Sequence, residues 1–221
     1  MINENDLSHC KFKHPFTCIV AGPTGSGKTV LTRDLLENAS FVTTIDSIPL
    51  KVLWCYGQWQ KGYETSVKNT EIKYHEGLCD EETVSKMKPD LIVIDDLMKE
   101  VGDDPRMSAL FTKVSHHLGV SVIFIVQNLF HQSKEMRTIS LNSHYFVLLK
   151  NPRDNLQLQL FGRQLFPGKT TYFKDSIQEA LRKPFSHVIL DMTSSCPENM
   201  RIRQKINQGS DPAFLVYAPT K

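Results

Sequence analysis

The stretch Phe16-Thr17-Cys18-Ile19-Val20-Ala21-Gly22-Pro23-Thr24-Gly25-Ser26-Gly27-Lys28-Thr29 decides how the chain is read. Its apolar first half is short enough for either strand or helix, and the glycines that follow make it a buried strand entering a tight turn. Gly22 to Thr29 fits G-x-x-x-x-G-K-[ST]. In such a loop the glycines let successive backbone N–H groups turn inward around a phosphate, the lysine reaches the β and γ oxygens, and the hydroxyl ligates Mg²⁺. Leu31 and Leu35 lie one helical turn apart with polar Thr32, Arg33 and Asp34 between them, which predicts an amphipathic helix over Lys28 to Asn38. That helix adds its positive end to the loop. Strand, glycine loop and helix in this order are the context that separates a phosphate-binding loop from an accidental match. The expected nucleotide contacts are Gly22, Pro23, Thr24, Gly25, Ser26, Gly27, Lys28, Thr29 and Val30.

Outward from the loop, short apolar runs alternate with helical patterns. Val52 to Tyr56 ends at Gly57, Leu91 to Ile94 runs into Asp95-Asp96, and Ser121 to Val126 ends in Gln127-Asn128. Tyr145 to Leu149 precedes Asn151-Pro152, which reads as a helix start, and His187 to Leu190 follows a helix around Ser176 to Leu181. The best-marked helix has Asp104 as N-cap, Pro105 at its first position and Gly119 just past its end, with Met107, Leu110, Phe111, Val114 and Leu118 on one face. Residues 57–90 have weak periodicity apart from a helix over Glu81 to Met87, and the tail from Asn207 onward reads as peripheral. The alternation predicts a parallel sheet covered on both faces, with ligands beyond the carboxyl ends of the strands.

Two strand ends carry the chemistry. Asp95 at the end of its strand is placed to join Thr29 at Mg²⁺, and Asp96 beside it is placed to polarise an attacking water; the plain alternative is a solvated acidic turn. Gln127 repeats the logic on the next strand, where a buried neutral amide would hydrogen-bond the γ-phosphate and the water, against the alternative of an ordinary polar strand end. His9, Cys10 and His14 crowd together but lack a fourth ligand, which makes a weak metal candidate. His116-His117 fall at a helix end, where the last carbonyls account for them, and Trp54 reads as core.

Composition bounds the rest. A chain of 221 residues with 40% hydrophobic and 23% charged residues suits one globular α/β domain over residues 1–221, its core at about 14–205. Its longest apolar runs are of strand length, far from the ~18 residues of a membrane span. The polar, acidic Met1 to Asp6 is unlike a secretory signal, so the expectation is an intracellular, non-secreted protein. Cys10, Cys18, Cys55, Cys79 and Cys196 form an odd set without paired spacing, which suits buried free thiols in a reducing compartment. Net charge is +2, but unevenly spread: eleven acids and five bases from Glu71 to Arg106, nine bases and four acids from Lys134 to Lys183. The basic segment suits either a solvated face or a surface that meets a polyanion.

With these residues placed, the sequence resembles the genome-packaging ATPases of double-stranded DNA viruses and of the virus-like Polinton and adintovirus elements. These belong to the FtsK/HerA group of P-loop motors, along with the poxvirus-type packaging ATPases. The resemblance rests on His14-Pro15-Phe16 leading into Ile19 to Thr29, on Leu91 to Leu97, and on Val126-Gln127-Asn128-Leu129-Phe130. Arg137 to Asn142, Lys150-Asn151-Pro152-Arg153-Asp154, and Gly162-Arg163-Gln164 near Phe166-Pro167-Gly168 add to it. It covers residues 14 to about 205 and is indistinct over 57–90. It implies an α/β P-loop NTPase fold (ASCE/RecA-like), three-layered, with a mainly parallel central sheet flanked by helices. It further implies ATP and Mg²⁺ as cofactors and a homo-oligomeric ring, pentamer or hexamer. Such a ring would drive double-stranded DNA, without sequence preference, into a capsid through a capsid vertex or capsid protein, inside a host cell or on the virion. Each site would be completed by an arginine of the next subunit. Arg137, in the longer connection after the fourth strand, is the favoured finger, Arg153 suits a sensor within its own subunit, and Arg163 is third. Many related motors carry glutamate where Asp96 stands, which makes the metal role of Asp95 firmer than the water role of Asp96. The basic segment agrees with a grip on phosphates, its candidates including Lys134, Lys150, Lys169 and Lys174.

Rival readings fare less well. A small-molecule kinase would add an arginine-rich lid and would not need Asp95-Asp96 and Gln127 together. A GTPase would need a guanine-reading Asn-Lys-x-Asp, which Lys150 to Asp154 is not. A helicase or segregation translocase of the same group, and an assembly protein with incidental hydrolysis, remain the alternatives.

Overall fold

The computed structural model describes residues 10–97, 104–129, 133–153, 155–205 and 214–219. Phe130, Asp154, His9 and the tail over 207–213 lie outside the described residues.

Strands β1 (Thr17–Ala21), β2 (Leu50–Tyr56), β3 (Thr70–Glu76), β4 (Leu91–Asp95), β5 (Ser121–Val126) and β6 (Tyr145–Leu149) pair in parallel in the order β3-β2-β4-β5-β1-β6. Beyond β6 the sheet continues antiparallel through β7 (His187–Asp191), β8 (Ile202–Lys205) and β9 (Phe214–Tyr217). β1 is buried along its whole length, and its side chains alternate between faces: Ile19 joins one core, Cys18 and Val20 the other. The second core includes Phe12, Phe16, Trp54 and Leu36, the last from helix α1 (Lys28–Glu37), which a short turn α2 (Ala39–Val42) follows. The first packs under α3 (Glu81–Met87), under α4, a continuous run of Pro105–Ala109, a π-turn Leu110–Val114 and Ser115–Leu118, and under α5 (Lys134–Leu141), α6 (Asn155–Leu165) and α7 (Thr170–Ala180). Helix, sheet and helix make the three layers.

The capping signals act as the sequence suggests. Asp104 Oδ1 accepts from the Arg106 N–H at 2.9 Å, Asp80 Oδ1 caps α3 through the Thr83 N–H at 2.8 Å, and Gly119 ends α4 at φ 63°. Helix α6 begins at Asn155, later than Asn151-Pro152 suggested, and α7 begins six residues before Ser176. The five cysteines are buried, and none is in a disulfide.

Two expectations need correction. Residues 57–90, indistinct in sequence, hold the whole of β3, which pairs with β2 over seven positions. Its alternating Ile72 and Tyr74 reach apolar partners while Glu71 and Lys73 face out, an edge-strand pattern that a window dominated by charge obscures. The C-terminal tail is not wholly peripheral: Phe214 is buried against Cys10, Leu35, Val42, Cys196 and Met200, and its strand closes the sheet edge beyond β8.

The register fixes what lies at the carboxyl ends. Ala21 sits opposite Val126, and Ile125 opposite Asp95, so Gly22, Gln127 and Asp96 leave three adjacent strands at one level. The loop strand β1 and the acidic strand β4 are not neighbours. β5 lies between them and delivers Gln127 into the gap.

Candidate functional site

The loop from β1 to α1 is held by its own backbone. The Gly22 N–H donates to the Val126 carbonyl at 3.2 Å, tying the loop to the end of β5. A Cβ on Gly22 would stand 2.8 Å from Ser26 Oγ and 2.9 Å from Leu149 Cβ, so only glycine allows the fold-back. Gly25 and Gly27 have φ of 76° and 93°, the left-handed region that favours glycine. Gly27 caps α1 without a side-chain acceptor, and the first turn has no acidic residue, which leaves the helix's first N–H groups and its positive end for a ligand. Ser26 Oγ is buried without a hydrogen-bond partner. These donors, gathered in one loop, fit a polyphosphate.

Lys28 Nζ donates to the carbonyls of Gly22 (2.8 Å) and Pro23 (3.0 Å), which holds the ammonium over the loop with donor capacity to spare. Burial lowers its pKa, opposed by the nearby Asp95 and Asp96 charges. Asp95 is 3% exposed, and its Oδ2 accepts from the hydroxyls of Tyr63 (2.8 Å) and Thr29 (3.2 Å). Burial raises the Asp95 pKa, while those two hydrogen bonds pull it back and the Asp96 charge raises it further. Tyr63 is itself buried, and both burial and the Asp95 charge push its phenol upward, so it stays a donor.

Thr29 and Asp95, the two expected metal ligands, are therefore in direct contact. Among the described residues no group of three His, Cys, Asp or Glu could hold a metal unaided. A hydroxyl and one carboxylate suit Mg²⁺, which takes few protein oxygens and completes its octahedron with water and substrate phosphates.

Asp96 follows β4 at φ 57° and is exposed. Gln127 Nε2 lies 3.5 Å from Asp96 Oδ1, so the two residues expected around the water do meet. The expectation of a buried Gln127 amide is wrong: β5 ends at Val126, and the side chain leaves the sheet exposed. The loop, the start of α1, Asp95, Asp96 and Gln127 line one cleft of about 800 Å³, a size that takes a nucleotide.

The arginines stand apart. Arg137 sits exposed on α5 and not on an extended connection, Arg153 follows β6 with its N–H on Asn151 Oδ1 at 3.1 Å, and Arg163 is exposed on α6. None of the three lines the cleft. Of the basic candidates, Lys150 Nζ donates to the Arg182 carbonyl at 3.0 Å and Lys169 pairs with Glu198 at 2.6 Å, so both are already engaged. His14 bonds Ser121 through Nδ1 at 2.7 Å while Cys10 is buried in the C-terminal cluster, which separates two members of the weak metal candidate.

Sequence reasoning missed Tyr63, from the 3₁₀ turn Lys61–Glu64, and with it Gln60, Phe185 and His187, which also line the cleft. Tyr63 packs among Trp54, Tyr56, Trp59 and Tyr74, and the recurrence of Trp and Tyr from 54 to 74 is the one signal that marked this region.

No family model and no curated protein matches the chain. Among solved structures, the genome packaging NTPase B204 from Sulfolobus turreted icosahedral virus 2 in complex with ATPγS superposes at TM-score 0.56 and 11% identity, over 94% of this chain and 98% of that one. The DNA-packaging ATPase B204 from Sulfolobus turreted icosahedral virus gives 0.55 and 10%, over 94% and 99%. A complex of the first protein with AMP gives 0.51 and 14%, over 80% and 92%. These neighbours are of the viral packaging type that the sequence motifs resemble. At such identities the likeness establishes the fold, an α/β P-loop NTPase fold built on a mostly parallel nine-stranded sheet.

Proposed function

We propose that this chain binds ATP with Mg²⁺ and hydrolyses it, and that hydrolysis in a homo-oligomeric ring of five or six subunits moves double-stranded DNA into a capsid. The observation that carries the reading is the meeting of Lys28, Thr29, Asp95, Asp96 and Gln127 around one cleft, from three adjacent strand ends. The loop N–H groups and Lys28 hold the β- and γ-phosphates. Thr29 and Asp95 hold Mg²⁺, which when bound neutralises charge on the phosphate oxygens. Tyr63 keeps the Asp95 carboxylate turned toward Thr29. Asp96 accepts a proton from the attacking water, and Gln127 orients that water through its contact with Asp96. Transfer to DNA movement rests on the motif resemblance and on the packaging function named for B204, and the basic residues that remain unpaired supply the sequence-independent grip.

The test is steady-state ATP hydrolysis by the purified chain, with and without duplex DNA, beside Lys28→Ala. Expected are Mg²⁺-dependent turnover that duplex DNA stimulates and that Lys28→Ala abolishes. Turnover unchanged in Lys28→Ala overturns the site. Turnover that ignores DNA, with ring assembly that follows ATP binding, would favour a nucleotide-dependent assembly protein instead.

A further inference from the structure

One side chain at the mouth of the cleft occupies a position that no packing requirement explains. Lys183-Pro184-Phe185-Ser186 form a turn between α7 and β7, closed by the Ser186 N–H (3.4 Å) and the Ser186 hydroxyl (2.6 Å) on the Lys183 carbonyl. Proline at the second position of such a turn is ordinary. The third position, with φ 57°, belongs to glycine, and a bulky aromatic there is an outlier. Phe185 is also 74% exposed, so burial does not offset the strain. Its ring stands over the phosphate loop: a Cβ on Gly27 would be 3.7 Å from Phe185 Cδ1. Val30, in the first turn of α1, is 72% exposed and lines the same cleft. Two large apolar side chains are thus exposed in one cleft, one at a conformational cost, beside the residues that suit a polyphosphate. Strain of this kind persists at positions that handle a ligand.

We propose that Phe185 and Val30 form the slot for the purine base of the nucleotide, with the ring of Phe185 as the stacking face. The inference rests on the nucleotide reading of the loop and adds to it the base subsite. A nucleobase is the flat, apolar-faced group that a bound triphosphate would bring to this point, and it buries both side chains at once. A purine offers more face to the ring than a pyrimidine does, so ATP and GTP should bind more tightly than CTP and UTP.

The experiment measures equilibrium binding of a non-hydrolysable ATP analogue and of inorganic tripolyphosphate, both with Mg²⁺, to the full chain and to Phe185→Gly and Phe185→Trp. Phe185→Gly relieves the turn and removes the ring, so its melting temperature should equal or exceed that of the parent while affinity for the analogue falls about tenfold or more, the usual scale of base–aromatic stacking. Tripolyphosphate affinity should stay within twofold of the parent. Phe185→Trp should restore analogue binding and show a fluorescence change with the analogue but not with tripolyphosphate. Unchanged analogue affinity in Phe185→Gly, or an equal loss for tripolyphosphate, overturns the slot while leaving the phosphate loop intact. If the parent binds neither ligand, the nucleotide reading falls and the slot with it.

Discussion

Gly57, the residue after β2, offers a test of the site that removes no polar group. Its N–H donates to the Asp95 carbonyl at 3.2 Å, and a Cβ built on it would stand 2.5 Å from the Asp96 carbonyl oxygen and 3.3 Å from Leu97 Cδ2. Ordinary C···O contacts begin near 3.3 Å, so Gly57→Ala must displace the backbone of Asp96 by ~0.8 Å. The obstacle is backbone already held at φ 57°, which has little freedom to yield. Asp96 and the Gln127 contact should move with it, while residues 22–29 are untouched. A misplacement near 1 Å costs about 10² in rate where geometry is part of catalysis, and overpacking of this kind costs about 1–3 kcal/mol of stability. Expected is a folded protein that melts a few degrees lower, with KM for ATP near the parental value and kcat down ~30- to 100-fold. Gly62→Ala is the control, since a Cβ there meets nothing within 4 Å and the residue lies in the same connection. Steady-state ATPase kinetics with circular dichroism melts decide it. Parental kcat in a folded Gly57→Ala would mean that the placement of Asp96 does not govern the rate.

Three further outcomes follow from the same geometry. Asp96→Asn should still bind ATP and Mg²⁺ but turn over ~10² more slowly or worse, as for a lost general base; loss of nucleotide binding in a direct titration would make Asp96 a metal ligand instead. Arg137→Ala should bind ATP normally and hydrolyse it ~10³-fold more slowly, and mixing it with Lys28→Ala subunits should restore part of the activity; no recovery in proven mixed rings refutes the assignment in trans, and full activity of Arg137→Ala alone would move the finger to Arg153 or Arg163. His144 accepts the Thr17 N–H through Nδ1 at 3.0 Å and lies 5.9 Å from the His116 ring; burial first and His116 second hold its pKa below 6.5, against a raising pull from Asp191. The unfolded chain therefore binds a proton that the folded chain refuses, and the melting temperature should fall as pH drops below about 6.5. His14, lowered mainly by burial, adds to the same slope, so His144→Asn, which keeps an acceptor, should flatten it in part; an unchanged slope would remove His144 from the account.

The glycine loop and the two residues that meet beside it, Thr29 and Asp95, were legible because their signals are local in sequence. Gly22, Gly25 and Gly27 are needed for backbone geometry within eight residues, and Asp95 is marked by an apolar run that stops at an acid. The strand alternation was legible for the same reason, since buried parallel strands read as continuous apolar runs. Gln127 was found but its surroundings were not, because burial at a strand end depends on which loops cover it. The finger was placed on an extended connection, yet Ser133 caps a helix there through the Met136 N–H at 3.1 Å, and Arg137 rides on its first turn. β3, β8 and β9 escaped notice because short strands at or next to a sheet edge alternate too briefly to outweigh charged or proline-rich surroundings.

Tyr63 shows why the remainder could not have been read at all. A hydroxyl that donates to a carboxylate 32 positions away has no periodicity and no spacing rule. Its place is set by aromatic packing: the Tyr63 ring lies 5.4 Å from that of Tyr74, nearly parallel to it, and the Tyr74 hydroxyl donates to the Tyr63 carbonyl at 2.9 Å. Tyr74 in turn is positioned by β3, whose register sets it opposite Trp54 on β2. The segment with the weakest sequence signal thus builds the support for the residue with one of the strongest. A buried carboxylate needs hydrogen-bond donors from the chain around it, and here an aromatic residue supplies one through contacts that exist only once the sheet has formed.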